Sequence, residues 1–168
     1  MHREVFRERD PFFGALYANP RARLATAEDA LTAMDRDGVD LAVALGWGWR
    51  DPALCAAHND YLADIARRYP TRFVGFATVN PLSGETAAAE VARAARLGLR
   101  GIGELRPHGQ DWLLDDERVI GPVAEAAQAL GLPILTHTSE PVGHEYPGKG
   151  NVYPPRILRF LRRWPELR

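Results

Sequence analysis

Residues 98–138 read GLRGIGELRPHGQDWLLDDERVIGPVAEAAQALGLPILTHT. Two short apolar runs, 99–105 and 133–138, enclose an amphipathic stretch at 116–130. Runs of this length with nearly continuous hydrophobicity are typical of strands that are buried on both faces of a parallel sheet. The stretch between them predicts a helix that ends at Gly131. The segment therefore predicts a βαβ unit with a right-handed crossover.

The same alternation continues on both sides of this unit. Two earlier apolar runs, 39–45 and 73–79, predict two more strands. Further amphipathic stretches predict helices at 26–38, 52–69, 83–97 and 154–164. The order α-β-α-β-α-β-α-β-α predicts an α/β fold in a single domain that spans residues 1–168. Residues 1–25 show no clear period and are expected to form a long loop.

Two α/β architectures are compatible with this order. In a doubly wound sheet, a ligand binds where the strand order reverses, whereas a barrel places its chemistry at the carboxyl end of every strand. Polar segments that contain Trp, Gly or Pro follow all four predicted strands at that end, which favours the barrel. A full (β/α)8 barrel takes about 250 residues and eight βα units. Four strands therefore predict a partial TIM barrel.

Composition excludes several classes of function. The 168 residues are 46% hydrophobic and 26% charged, with a net charge of −1, so no electrostatic feature favours nucleic acid or an acidic membrane. Cys55 is the one cysteine and cannot form an internal disulfide. No apolar run approaches the roughly 18 residues of a membrane span, and residues 1–4 do not resemble a signal peptide. The expected protein is cytoplasmic and binds a small-molecule substrate.

Two polar residues lie inside apolar strands. His137 is at the end of the run ILTHT, where alternation directs it to the same face as Leu135. In a barrel that position could offer an imidazole nitrogen to a metal, although a hydrogen-bonded core histidine is the alternative. Glu104, in GIGEL, is costly to bury unless it is paired or bound to a metal. It could have a catalytic role or form an ion pair with Arg106 or Arg100.

The loops after the strands carry further candidates. His108 could contact substrate or act as an acid or base, although an exposed loop histidine is the commoner case. His144 lies in the long loop PVGHEYPGKG at 141–150, which suits a lid or substrate wall. Trp47 and Arg106 follow the first and third strands and are candidate substrate contacts. His58 and Cys55 lie within a predicted helix and are expected to be structural.

Several segments resemble one known family. LPILTHTSEPVGH at 132–144, followed by YPGKG at 146–150, resembles the fifth-strand segment of the amidohydrolase-related family. That family includes non-oxidative decarboxylases such as aminocarboxymuconate semialdehyde decarboxylase. GIGEL at 101–105 with PHGQ at 107–110 is similar to its fourth strand, and GFATVNP at 75–81 to its third. The likeness extends over essentially the whole chain.

The resemblance implies a (β/α)8 barrel with a divalent metal, usually zinc. Family members bind the metal through an H-x-H pair on strand one, a histidine on strand five and an aspartate on strand eight. Of these ligands His137 alone maps onto this chain, which contains no H-x-H. The chain is thus expected to cover about strands two to five, after a missing first strand, and to bind metal weakly alone. We also expect it to form homo-oligomers or to self-associate through open sheet edges.

Three functions stay open on these residues. The default is a metal-dependent hydrolase, in which metal-activated water attacks an amide, ester or lactone-type bond. The alternative is a non-oxidative decarboxylase of a small carboxylic acid on the same metal site. A third possibility, from another class, is a catalytically inert truncated barrel.

Overall fold

The computed structural model describes residues 6, 8–19, 21–22, 24–146 and 148–168. Within these ranges the strands are β1 Ala42–Leu45, β2 Phe73–Phe76, β3 Ile102–Leu105 and β4 Ile134–Thr136. The helices are α1 Pro11–Leu16, α2 Ala27–Asp37, α3 Pro52–Arg68, α4 Glu85–Arg96, α5 Pro107–Gln110, α6 Glu117–Ala129 and α7 Pro154–Arg163, with a 3-10 turn at Pro81–Ser83. None of the described helices is long and apolar enough to cross a membrane.

The four strands run parallel in the order in which they occur along the chain. β1 pairs with β2 and β3 pairs with β4. Just beyond the end of β2, Ala77 bridges to Ile102 of β3, and the backbone N of Gly103 donates to the carbonyl of Ala77 at 2.7 Å. The prediction of adjacent, parallel strands is therefore confirmed. The described residues do not form a closed barrel, and the partial barrel stays a prediction.

Local capping explains where the helices begin and end. Thr26 and Asp29 form a reciprocal capping box at the start of α2, and Gly38 ends that helix in the left-handed conformation with φ 70°. The Asp116 side chain accepts a hydrogen bond from the backbone N of Arg118 at the start of α6. These boundaries agree with the predicted helices.

The core lies between the helices and one face of the sheet. Ala42 and Ala44 of β1 pack against the main buried cluster, which includes Ile102 and Ile120. Alternate side chains point the other way: Val43 is 50% exposed and Leu135 of β4 is 38% exposed. Because side chains alternate along a strand, this second sheet face is apolar and open to solvent.

Part of the predicted loop at 1–25 is helical, which corrects that prediction. Asp10 caps α1, and Pro11 occupies its first turn. The helix is held by a second, aromatic cluster in which Phe13 and Trp49 are buried. Its six residues are too few to show a helical period, so the sequence pattern missed it. Residues 1–5, where the predicted loop begins, lie outside the described residues. The short helix α5 was likewise predicted as loop.

Candidate active site

His137 and Glu104 meet at the carboxyl ends of two neighbouring strands. The backbone N of His137 donates to the carbonyl of Leu105 at 2.8 Å, which extends the pairing of β3 and β4 to the histidine. Glu104 lies on β3, and its Oε1 is 3.1 Å from Nδ1 of His137. The two side chains are about a quarter exposed, at 27% and 26%. The predicted proximity of this pair is confirmed, whereas the roles of the two residues stay predictions.

The negative charge on Glu104 determines which nitrogen of His137 carries a proton. Its hydrogen bond with His137, together with the positive charge of Arg106, holds the pKa of the Glu104 carboxyl below its ordinary value of 4.5 despite partial burial. The carboxylate is therefore ionised at neutral pH and can only accept, so Nδ1 of His137 carries the proton. None of the described residues hydrogen-bonds to Nε2 of His137, which leaves that nitrogen available to a metal.

Arg106 is stacked in an aromatic wall beside this pair. Its guanidinium carbon lies 4.2 Å from the ring centroid of Trp47 and 5.7 Å from that of Phe12. Its Nη1 donates to Oε2 of Glu104 at 3.3 Å, and its side chain is 12% exposed. The ion pair that was one alternative for Glu104 is thus formed together with the contact to His137. Two predicted substrate contacts, Trp47 and Arg106, lie side by side.

Gln110 fixes the strand ends relative to one another. The side chain is fully buried, and its Nε2 donates to the carbonyls of Trp49 at 3.0 Å and Val79 at 2.7 Å. Its Oε1 accepts from the backbone N of Arg106 and from Nε1 of Trp112, each at 3.3 Å. All its hydrogen-bonding capacity is used, so Gln110 joins the segments that follow β1, β2 and β3. Sequence reasoning missed this residue.

His108 lines a narrow cleft next to His137. The ring of His108 stands edge-on to Phe12 at a centroid distance of 5.8 Å. On the other wall, a Cβ at Gly150 would lie 3.2 Å from Cδ2 of His137, so the loop approaches the imidazole closely because that residue is glycine. The cleft is narrow and, in this structure, has no room for a water-sized molecule, so it is not yet a ligand pocket of the usual size. His108 and His137 line the same cleft, and the role of His108 stays a prediction.

His144 is not brought to this cleft. It is exposed in the loop after β4, and its ring meets Tyr146 at a centroid distance of 6.0 Å. Nζ of the buried Lys149 donates to three loop carbonyls, His144 among them at 3.4 Å. Across the ranges that the structure covers, no hydrogen bond, ion pair or ring contact joins His144 to His137. Pro147 of the same loop lies outside the described residues.

A divalent metal would find part of a binding site here. The described residues contain no group of three His, Cys, Asp or Glu side chains that could hold a metal ion, whereas catalytic zinc usually takes three protein ligands. The His137–Glu104 pair nevertheless has the arrangement of a metal-binding histidine whose second nitrogen is oriented by a carboxylate. His137 therefore fits one ligand position of a metal site, and Glu104 fits the carboxylate that orients such a histidine.

The chain is similar to one protein family and to several solved structures. A family model described as amidohydrolase matches residues 1–168. The 5-carboxyvanillate decarboxylase of Novosphingobium aromaticivorans, solved with manganese and 4-hydroxy-3-methoxy-5-nitrobenzoic acid, is 26% identical with a TM-score of 0.77 over 99% of this chain and 60% of that chain. The 5-carboxyvanillate decarboxylase of Sphingomonas paucimobilis is 28% identical with a TM-score of 0.67 over 90% of this chain and 53% of that chain. The chain thus spans roughly half to three fifths of these relatives.

A dihydroxybenzoic acid decarboxylase from Polaromonas, solved with manganese and 2-nitroresorcinol, is 22% identical with a TM-score of 0.65 over 95% of this chain and 57% of that chain. At this identity the likeness concerns the fold alone. All three relatives are decarboxylases by description.

Proposed function

The chain belongs to the amidohydrolase family, and from that membership we propose that it forms part of the active site of a metal-dependent decarboxylase of small carboxylic acids. The observation that carries the proposal is the 3.1 Å contact between His137 and Glu104 at neighbouring strand ends, with cationic Arg106 against the same carboxylate. The similarity to two 5-carboxyvanillate decarboxylases supports this reaction. The loss of carbon dioxide without oxidation breaks the bond from carbon to the carboxylate, leaves the electron pair on that carbon and ends with a proton there. It therefore needs a group that positions the substrate and a proton donor at the reacting carbon, for which Arg106 and His108 of the cleft are candidates.

Four residues of the site have proposed roles in this reaction. His137 would bind a divalent metal through Nε2, while Glu104 accepts the Nδ1 proton and keeps the imidazole in that orientation. Arg106, held against Trp47, would orient an anionic group of the substrate. His108 would transfer a proton at the reacting carbon. When bound, the metal would supply Lewis-acid polarisation of a substrate oxygen; manganese, as in a similar decarboxylase, and zinc are both candidates.

Hydrolysis of an amide, ester or lactone-type bond is the second candidate. The family description supports it, and the same histidine and metal would serve to activate water. Product analysis distinguishes the two reactions. Decarboxylation releases carbon dioxide and leaves a C–H bond in place of the carboxylate, whereas hydrolysis consumes water and releases no carbon dioxide. We expect the complete active site, of which this chain forms a part, to release carbon dioxide from 5-carboxyvanillate when Mn²⁺ is present. Turnover of lactones without carbon dioxide would favour the hydrolase.

Metal titration by calorimetry tests the site itself. We expect the chain to bind Mn²⁺ or Zn²⁺ weakly, because the described residues supply few ligands, and His137→Ala to abolish that binding. Glu104→Gln should weaken it by about 10- to 100-fold, the usual effect of losing the carboxylate behind a metal-binding histidine. His144→Ala is the matched control, since His144 is exposed in the loop after β4. Unchanged binding in His137→Ala would refute the proposed site.

A further inference from the structure

Two buried N–H groups, one on Arg106 of the cleft and one on Trp47 stacked behind it, lack an acceptor among the described residues. Nε1 of Trp47 and Nε of Arg106 are inaccessible and lack a hydrogen-bond partner among the described residues. The two side chains are stacked, with the guanidinium carbon 4.2 Å from the indole centroid. Buried donors are almost always paired in native proteins. Two neighbouring unpaired donors therefore indicate that an acceptor belongs beside them.

Other indoles of the chain show what the usual arrangement is. Nε1 of Trp49 donates to Nδ1 of His58 at 3.0 Å, and Nε1 of Trp112 donates to Oε1 of Gln110 at 3.3 Å. Trp47, which faces Arg106 instead of a core acceptor, lacks such a partner. Among the described residues, the indole N–H of Trp47 is therefore the one that is both inaccessible and without an acceptor.

The charge beside these donors decides which acceptor fits. Arg106 contributes a permanent positive charge, and its contact with Glu104 engages Nη1 at 3.3 Å, leaving Nε free. A planar carboxylate has two oxygens that can each accept a strong, charge-assisted hydrogen bond. Gln110 holds the backbone of Arg106, and the guanidinium is stacked on Trp47, so both donors are held in place. A carboxylate would reach them only as the narrow cleft widens.

We propose that Nε1 of Trp47 and Nε of Arg106 form a carboxylate subsite that holds one carboxyl group of the substrate beside His137. The inference rests on the proposed function in one respect: it places this subsite in the same cleft as the metal-binding histidine. The carboxylate bound here is held by protein donors alone. Arg106 and Trp47 therefore select among substrates by the position of a carboxyl group.

Indole N–H resonances in a ¹H–¹⁵N NMR spectrum test the subsite without metal. The chain has four tryptophans, so four indole resonances are followed while sodium benzoate or sodium acetate is added. A parallel titration with sodium chloride at equal ionic strength is the control. We expect the Trp47 resonance, assigned by its loss in Trp47→Phe, to move downfield and to saturate with carboxylate and not with chloride. The Trp112 resonance, which reports on Gln110, should stay in place and show that the fold is intact.

Variants of the arginine separate this subsite from general charge effects. Arg106→Lys keeps the charge and removes the Nε donor, so we expect carboxylate affinity to fall about tenfold or more, as for a lost hydrogen bond to a charged group. Arg163→Lys is the matched control because Arg163 also stacks on a tryptophan, Trp164 at 5.3 Å, and pairs with a glutamate, Glu117 at 2.9 Å. It should leave the affinity unchanged.

Two results would overturn the proposal. A Trp47 resonance that does not move when carboxylates are added would show that these donors do not bind a carboxylate. Equal loss of affinity in Arg106→Lys and Arg163→Lys would show non-specific ion binding. The indole resonance and the carboxylate affinity are both measured without metal. The carboxylate subsite can therefore be refuted while the proposed metal site stands, and the metal site can be refuted while the subsite stands.

Discussion

His58 shows how burial sets the chemistry of a single side chain. It accepts a hydrogen bond at Nδ1 from the indole of Trp49, and burial lowers its pKa from 6.5 to about 4. Nearby, burial raises the pKa of the Cys55 thiol to about 12, which makes the thiol unreactive at neutral pH. These environments agree with the structural roles expected for both residues.

The pH dependence of stability should report on His58. Between about pH 6.5 and 4 the unfolded chain binds a proton at this residue and the folded chain does not, so stability is present above pH 6.5 and falls as the pH decreases. At pH 5 the loss should be on the order of 2 kcal/mol. Urea unfolding of wild type and His58→Gln at pH 7 and pH 5 measures it. The glutamine keeps an acceptor for Trp49 without titrating, so an equal loss in both proteins would rule out His58.

The pairing of β3 with β4 depends on one glycine. Gly103 has φ 143°, and a Cβ there would lie 2.5 Å from the carbonyl oxygen of Leu135 and 2.9 Å from its Cβ. Both the backbone conformation and the close approach of the neighbouring strand therefore require glycine. This approach brings the ends of the two strands together, where Glu104 and His137 meet.

We expect Gly103→Ala to lower the free energy of unfolding by about 2 to 4 kcal/mol, because strain and steric overlap add. Gly121→Ala is the matched control: it lies inside α6 with nothing within 4 Å of a new Cβ. That change should raise stability by about 0.5 to 1 kcal/mol, since alanine loses less entropy than glycine in a helix. Denaturant unfolding compares the two, and equal effects would contradict the strain at Gly103.

The open face of the sheet governs the behaviour of the whole molecule. Leu41, Val43 and Leu45 are 54%, 50% and 37% exposed, and Leu135 is 38% exposed on β4. Burial of apolar surface contributes about 25 cal/mol per Å², so this sheet face favours association with a further apolar surface. The proposed partial barrel would present its inner face in this way.

We therefore expect self-association of the chain at micromolar concentration. The double change Val43→Thr and Leu45→Thr places a β-branched side chain, which suits a strand, at both positions and reduces the apolar surface, so it should shift the population towards monomer. Light scattering after size-exclusion chromatography measures the mass. Leu161→Gln is the matched control, since Leu161 is 45% exposed on α7, away from the sheet. A wild-type monomer would refute this prediction, as would dissociation by Leu161→Gln instead.

The sequence by itself determined the alternation of helices and strands and the position of His137 and Glu104 at strand ends. Those features are local, because periodicity and caps such as Thr26 are properties of neighbouring residues. The tertiary structure alone decided that Phe12 reaches Arg106 and that Gln110 joins three strand ends. Such partners come from distant segments that meet only when parallel strands align, and no local pattern encodes that meeting.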